Sequence, residues 1–149
     1  MEYSGVYYKT AKALKETTRF VSSRGGTRSG KTFAILQLLY AMAIQDSPEH
    51  PSLTSVVSET FPHLKRGAIR DFTLALGPDY DDRRWNKSDS IYTLPNGSQI
   101  EFFSADSPAK VHGPARHRLF INECNHIDYD TARQLFVRTS EFIILDYNP

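Results

Sequence analysis

Two rhythms of hydrophobic positions run along this chain. From Lys31 to Ile44 almost every position is apolar or small, and Phe33, Ile35, Leu36, Leu38, Leu39, Met42 and Ile44 leave no broad polar face. Such a segment predicts a helix buried on more than one side. Shorter apolar runs at Leu53–Val57, Leu119–Ile121 and Phe142–Leu145 have the length and the β-branched or aromatic content of core strands. Residues 6–17 predict a short helix on Val6, Ala13 and Leu14, and residues 19–23 a short strand whose only apolar members are Phe20 and Val21. Pro62 opens a segment in which Leu64, Ile69, Phe72 and Leu76 recur at helical spacing until Gly77-Pro78 breaks it. Asp130–Thr139 predicts a further helix. A different pattern lies between them. Ser90–Leu94 and Ser98–Phe103 flank Pro95-Asn96-Gly97, and Asn-Gly between two alternating runs signals an antiparallel hairpin. Strands alternating with helices predict an α/β fold, a three-layer sandwich around a mostly parallel sheet with the hairpin attached at one edge.

Composition narrows the class without changing that picture. The chain has 149 residues, 40% hydrophobic and 23% charged. These values exclude collagen-like, disulfide-rich and disordered chains. Eighteen basic and seventeen acidic residues give a net charge of +1, so there is no basic nucleic-acid tail. Residues 1–75 hold ten basic and six acidic groups, or +4, and residues 76–149 hold eight and eleven, or −3. The single cysteine, Cys124, excludes an internal disulfide and a four-cysteine zinc site, and fits a reducing compartment. No apolar run approaches the ~20 residues that span a bilayer. The polar N-terminus predicts no signal peptide. A cytoplasmic location is therefore expected, with no membrane partner.

The strongest chemical signal is Gly25-Gly26-Thr27-Arg28-Ser29-Gly30-Lys31-Thr32, a complete G-x-x-x-x-G-K-[ST] phosphate loop. Glycines let the backbone curl so that several N–H groups face one anion. The helix that starts near Gly30 turns its positive end to the same place. Lys31 reaches toward the β- and γ-phosphates of ATP, and the Thr32 hydroxyl is offered to Mg²⁺. Arg28, inside the loop, either stabilises charge at the γ-phosphate or is a solvated loop arginine. Together with the strand-helix alternation, this loop makes the expected fold a P-loop NTPase sandwich.

Such a site needs a carboxylate at the end of a neighbouring strand. Leu119-Phe120-Ile121-Asn122-Glu123 supplies one. The usual order is Asp, which orients the Mg²⁺ shell, then Glu, which polarises the attacking water. Here Asn122 stands in the Asp place. Its amide oxygen can accept from a metal-bound water but brings no charge, so Glu123 is the expected general base and Asn122 a weaker organiser. Other constellations carry less. Cys124, His126 and Asp128 alternate past a strand end and do not readily converge as nucleophile and base. The five histidines lack zinc spacing. Asp79, Asp81 and Asp82 read as a solvated turn. Phe20, Tyr7 and Tyr8 are stacking candidates for adenine and equally core candidates.

Together, Gly25–Thr32, Asn122-Glu123 and the closing Asp146-Tyr147-Asn148-Pro149 resemble the ATPase domain of tailed-bacteriophage terminase large subunits, a family that packages DNA into procapsids. Ser58–Gly67, Asn96-Gly97-Ser98, Phe102-Phe103-Ser104 and Gly113-Pro114 with the arginines that follow resemble the intervening family segments. The resemblance implies an ATP hydrolase using Mg²⁺ and acting on double-stranded DNA. It implies a homo-oligomeric ring on the portal, a small terminase partner, and action in the cytoplasm of an infected or lysogenic host. It implies that Arg28 senses or stabilises the γ-phosphate and that Asn148 couples hydrolysis to movement. A neighbouring subunit's arginine would complete the site, with Arg66, Arg70, Arg116 and Arg118 as candidates. DNA phosphates would be met by Lys65, Arg66, Arg70, Arg83, Arg84 and Lys87. The rival readings are another P-loop ATPase or kinase, and a non-catalytic nucleotide-binding assembly module.

A P-loop core normally continues past its fourth parallel strand, whereas this sequence stops at the coupling motif. Residues 1–149 are therefore expected to be one C-terminally truncated ATPase domain without the family's nuclease, and marginally stable alone. Thermal unfolding checks this: a cooperative melt at high temperature would contradict it.

Overall fold

The structure, a computed structural model, describes residues 3–16, 19–24 and 30–147. In chain order, helix α1 (Gly5–Glu16) is followed by strand β1 (Phe20–Arg24), α2 (Lys31–Ala43) and β2 (Leu53–Ser58). Then α3 (Phe61–Leu64), a π-helical turn (Lys65–Ile69) and α4 (Arg70–Leu76) run on without a break. Strands β3 (Trp85–Asn86), β4 (Ile91–Thr93) and β5 (Gln99–Ser104) come next. They are followed by α5 (Pro108–Val111), β6 (Arg116–Ile121), α6 (Tyr129–Val137) and β7 (Thr139–Tyr147). The seven strands form one sheet in the order β1-β7-β6-β2-β5-β4-β3. The first five are mutually parallel, and β4 and β3 close the sheet antiparallel.

Alternation along the central strands makes the sandwich. Val56, Phe102, Phe120, Phe142 and Ile144 face a core shared with α2 and α4. Their neighbours Val57, Phe103, Leu119, Ile121 and Ile143 face the opposite core, shared with α6. Successive strand residues point to opposite faces, so a parallel strand covered by helices on both sides must be apolar at every step. The expected three-layer, mostly parallel α/β sandwich is the one observed.

Three details go beyond the sequence expectation. The hairpin is attached at one edge, as expected, and it is joined to the sheet through β5, which pairs in parallel with β2 along its whole length, from Leu53 opposite Gln99 to Ser58 opposite Ser104. Strand β5 buries Ile100 and Phe102 on one face and Phe103 on the other, which makes it an inner strand. The two-residue β3, unannounced by any pattern, is the short edge that sheets tolerate in solvent. The helix opened by Pro62 contains a π turn. Its buried stripe, Leu64, Ala68, Phe72 and Leu76, repeats every four residues. That spacing drifts off one face of a 3.6-residue helix, and one wider turn restores the alignment.

The hairpin turn also braces α2. Gly97 takes a φ of 92°. Asn96 donates through its amide nitrogen to the carbonyls of Ala43 (2.8 Å) and Asp46 (3.0 Å), at and just past the helix end. At the N-terminal ends of the parallel strands, Arg118 donates to Asp46 Oδ1 (3.0 Å) and to Glu141 Oε2 (2.9 Å). The hydroxyls of Ser52 (2.5 Å) and Ser98 (2.7 Å) donate to Asp46 Oδ2. Arg116, only 2% exposed, donates to Ser55 Oγ (2.8 Å) and the Leu135 carbonyl (3.0 Å). Both arginines are thus interior clamps, which removes them from the candidates for a residue reaching across subunits.

Burial pushes the Asp46 carboxyl up, but hydrogen bonds from Ser52, Ser98 and Arg118 and the Arg118 charge outweigh it, so the group sits below its ordinary 3.8. A lowered folded value means stability that is present above pH 3.8 and lost as the pH falls through that lower value. Arg118→Met should therefore cost about 3 kcal/mol at neutral pH by stranding this carboxylate. The difference from wild type should shrink as melts are run below pH 4; a pH-independent difference contradicts the clamp.

Candidate active site

The C-terminal ends of β1, β7 and β6 lie side by side. Gly30, at φ 71°, takes the left-handed conformation that caps α2. The first turn of α2 then presents Lys31 and Thr32. Lys31 is buried, and its Nζ donates to the Tyr147 carbonyl at the end of β7 (3.0 Å). Thr32 Oγ1 donates to Asp146 Oδ2 (3.3 Å). With its amide oriented so that both ends are satisfied, Asn122 donates to Thr32 Oγ1 (3.2 Å) and to the two Asp146 oxygens (3.3 and 3.2 Å). Its oxygen then faces Ser58 Oγ, 3.4 Å away. The oxygen offered to a metal-bound water in the sequence reading is turned from Thr32.

Glu123 follows at φ 54° and ψ 57°, a left-handed conformation that costs a residue with a Cβ about 1–2 kcal/mol. Its backbone N–H donates to Asp146 Oδ1 (2.5 Å), which holds the turn in place. The strain re-aims the side chain away from the strand direction. Its carboxylate meets His63, Nε2 to Oε2 2.5 Å, from α3 beyond the end of β2. Burial pushes the Asp146 carboxyl above its ordinary value. The Glu123 amide, the Lys31 charge and the Thr32 hydroxyl pull against that, and the Glu123 charge adds to it.

Of the residues selected from sequence, Gly30, Lys31, Thr32, Asn122 and Glu123 come together here. Gly25, Gly26, Thr27, Arg28, Ser29 and Asn148 lie outside the described residues. Cys124, His126 and Asp128 form no catalytic set. Burial raises the Cys124 thiol, which disfavours a thiolate, and Asp128 caps α6 through the Thr131 N–H (2.8 Å). A cavity of about 320 Å³ beside Lys31, between α1 and β1, is lined by Val6, Lys9, Thr10, Val21, Ser23 and Arg24. Phe20, Tyr7 and Tyr8 do not line it. Phe20 packs edge-on against Phe136, and Tyr7 stacks on Tyr3. Arg66 and Arg70 are exposed, as a residue reaching a neighbouring subunit must be.

Two residues of this site were not given roles from sequence. Asp146 stood inside the closing Asp-Tyr-Asn-Pro motif, and His63 inside the segment after the second strand. Only the strand order, with β7 between β1 and β6, brings Asp146 beside Thr32.

Fold and strand ends define a P-loop-type α/β sandwich. Residues 24–140 match the family described as terminase large subunit, T4-like-virus type, N-terminal, and the chain belongs to that family. Among curated proteins none matches significantly. The large terminase of a thermophilic bacteriophage is similar in structure, with TM-score 0.77 at 14% identity, over 100% of this chain and 40% of that one. A structure of that protein with ATP-γ-S gives 0.76 at 15% identity, over 99% and 38%. The large terminase ATPase domain of a Thermus phage gives 0.59 at 15% identity, over 98% and 64%. The chain thus spans about two fifths of the first of these proteins.

The left-handed turn makes a stability prediction that is separate from chemistry. Glu123→Gly and Glu123→Ala both delete the carboxylate, but only alanine keeps the Cβ that resists this φ. The glycine variant should be more stable by about 1 kcal/mol in denaturant unfolding; equal stabilities would show that the turn relaxes.

Proposed function

We propose that this domain hydrolyses ATP and that its turnover drives double-stranded DNA into a phage procapsid. The observation that carries the reading is the convergence of Lys31, Thr32, Asn122 and Glu123 at the ends of adjacent parallel strands, at the head of a helix preceded by a phosphate-loop sequence. Membership of the terminase family supports it, as does similarity to a phage terminase whose structures hold ATP-γ-S and ADP.

In this reading the backbone of Gly25–Gly30 and the N-terminus of α2 cradle the phosphates. Lys31 leaves the Tyr147 carbonyl to meet the β- and γ-phosphates, so phosphate and the end of β7 compete for one ammonium. That exchange gives the strand leading to Asn148 a nucleotide-dependent contact, in keeping with a coupling role. Glu123 orients the attacking water and takes its proton. Releasing His63 frees the carboxylate for that task. Arg28 steadies the γ-phosphate, and an exposed arginine of a neighbouring subunit in the ring, Arg66 or Arg70, completes the site.

The donor set fits Mg²⁺. Thr32 offers a hydroxyl oxygen beside a carboxylate. No group of three or more His, Cys, Asp or Glu among the described residues could cage a metal alone. That matches an ion which takes most of its oxygens from phosphate and water. When bound, it offsets charge developing on the β- and γ-oxygens.

Lys65, Arg66 and Arg70 form an exposed basic strip along the π turn and the start of α4. Lys65 and Lys87 line a groove with Phe61, Tyr80 and Trp85. Arg83 is held by Asp81 through two bonds of 3.1 Å. Phosphate contact therefore falls chiefly to the strip and Lys87. A small terminase and the portal are the further partners of this reading. No helix among the described residues is long and apolar enough to cross a membrane.

Two measurements test the reading. Glu123→Gln should lower ATP turnover about 100-fold or more while leaving nucleotide binding intact; near-normal hydrolysis would remove Glu123 as the base. Duplex DNA should stimulate turnover, and the stimulation should fall steeply between about 50 and 200 mM salt if phosphates are the contact. Salt-independent stimulation contradicts that contact, and transfer of phosphate to a nucleotide acceptor instead of water contradicts an ATPase.

A further inference from the structure

We propose that Asp146, on β7, supplies the carboxylate that positions the water shell of the nucleotide's Mg²⁺ beside Thr32, and that Asn122 serves to hold Asp146. The inference rests on the nucleotide-site reading above and adds a residue to it.

The strand end that would carry this carboxylate in a P-loop ATPase carries a neutral amide instead. One position fewer in charge is a defect only if nothing replaces it. Asp146 is 1% exposed, and its partners are all donors: the Thr32 hydroxyl, the Glu123 N–H and the Asn122 amide nitrogen. Its Oδ2 lies 3.3 Å from the same Thr32 oxygen that is offered to the metal. Because β7 lies between β1 and β6, the end of β7 is the nearer strand end to the helix start that carries Lys31 and Thr32.

The identity of residue 122 follows from the same geometry. Its amide nitrogen is 3.2 and 3.3 Å from the Asp146 oxygens. An aspartate at 122 would set two carboxylates against each other at that distance, whereas an asparagine donates. Asn122 and Asp146 therefore form a matched pair in which the charge has been transposed from β6 to β7. A carboxylate accepts with two oxygens and about four lone-pair sites, and the three donors make two contacts on each oxygen, so a water bound to the metal would take the place of one of the long Asn122 contacts, at 3.2 and 3.3 Å.

A purely structural role would have Asp146 do no more than anchor the strained Glu123 N–H. Asp146→Asn separates the two roles, because an asparagine oxygen still accepts from that N–H while the charge is gone. The experiment titrates the 149-residue chain with a fluorescent ADP, in EDTA and in Mg²⁺, and reads how much the metal strengthens binding. Wild type should bind in EDTA and tighten with Mg²⁺. The ratio of Mg²⁺ to EDTA affinity should fall about 10- to 100-fold in Asp146→Asn. The double variant Asn122→Asp/Asp146→Asn, which moves the charge back to β6, should recover it.

An undiminished increment in Asp146→Asn, or no recovery in the double variant, overturns the proposal while leaving the nucleotide site intact. Wild type that binds ADP in neither condition overturns the nucleotide-site reading itself. A second measurement does not depend on any variant folding. In wild type labelled with ¹³C at aspartate carboxyl carbons, replacing Mg²⁺ with Mn²⁺ in the ADP complex should broaden the Asp146 signal. An unbroadened Asp146 signal overturns the proposal.

Discussion

Asp146 is the point on which the site end of this domain depends. One buried carboxylate ties the first turn of α2, through Thr32, to the turn after β6, through the Glu123 N–H. It sits at the end of the strand that separates them. Without an acceptor oxygen there, the left-handed turn at Glu123 would lose the bond that holds it, and a strained backbone persists only where surrounding contacts over-determine it. The position of Glu123 against His63, and of Thr32 against Asn122, follows from that anchor.

The two ends of the parallel sheet are built on opposite principles. At the N-terminal ends of the strands, Arg116, Arg118, Asp46, Ser52 and Ser98 satisfy one another, and the Asp46 carboxyl is held below its ordinary value. At the C-terminal ends, burial raises the Asp146 carboxyl and a residue with a side chain adopts a positive φ. Groups that are uncomfortable alone are those that a charged ligand relieves. Lys31 resting on the Tyr147 carbonyl is of the same kind, a contact that phosphate can replace.

The charged surface shows why counting residues overstates available charge. Arg83 and Arg84 both face Asp81, so the basic cluster near β3 is partly self-neutralised, whereas Lys65, Arg66 and Arg70 project from one continuous helical stretch. Arg116 and Arg118, equally basic in sequence, are interior. The same residue type serves as clamp, paired surface group or exposed surface charge according to what stands within about 3 Å of it.

The elements themselves were legible because their signals are local. The apolar length of α2, the β-branched runs of β2 and β7, and Asn96-Gly97 each report a backbone preference that needs no distant partner. The phosphate-loop motif is legible for the same reason, since its glycines, Lys31 and Thr32 are contiguous in sequence, and Glu123 is picked out by its place after an apolar run. What the sequence could not reveal depends on which strands become neighbours. Whether β5 is an edge or an inner strand, whether Arg116 is a bridge between subunits or a clamp, and which residue stands beside Thr32 are set by pairing across 46 to 114 positions of chain. Period-two alternation says that a strand has two buried faces but not what lies across from it. The insertion of β7 between β1 and β6 decides that the carboxylate missing from position 122 is met at position 146, and only the tertiary structure contains that decision.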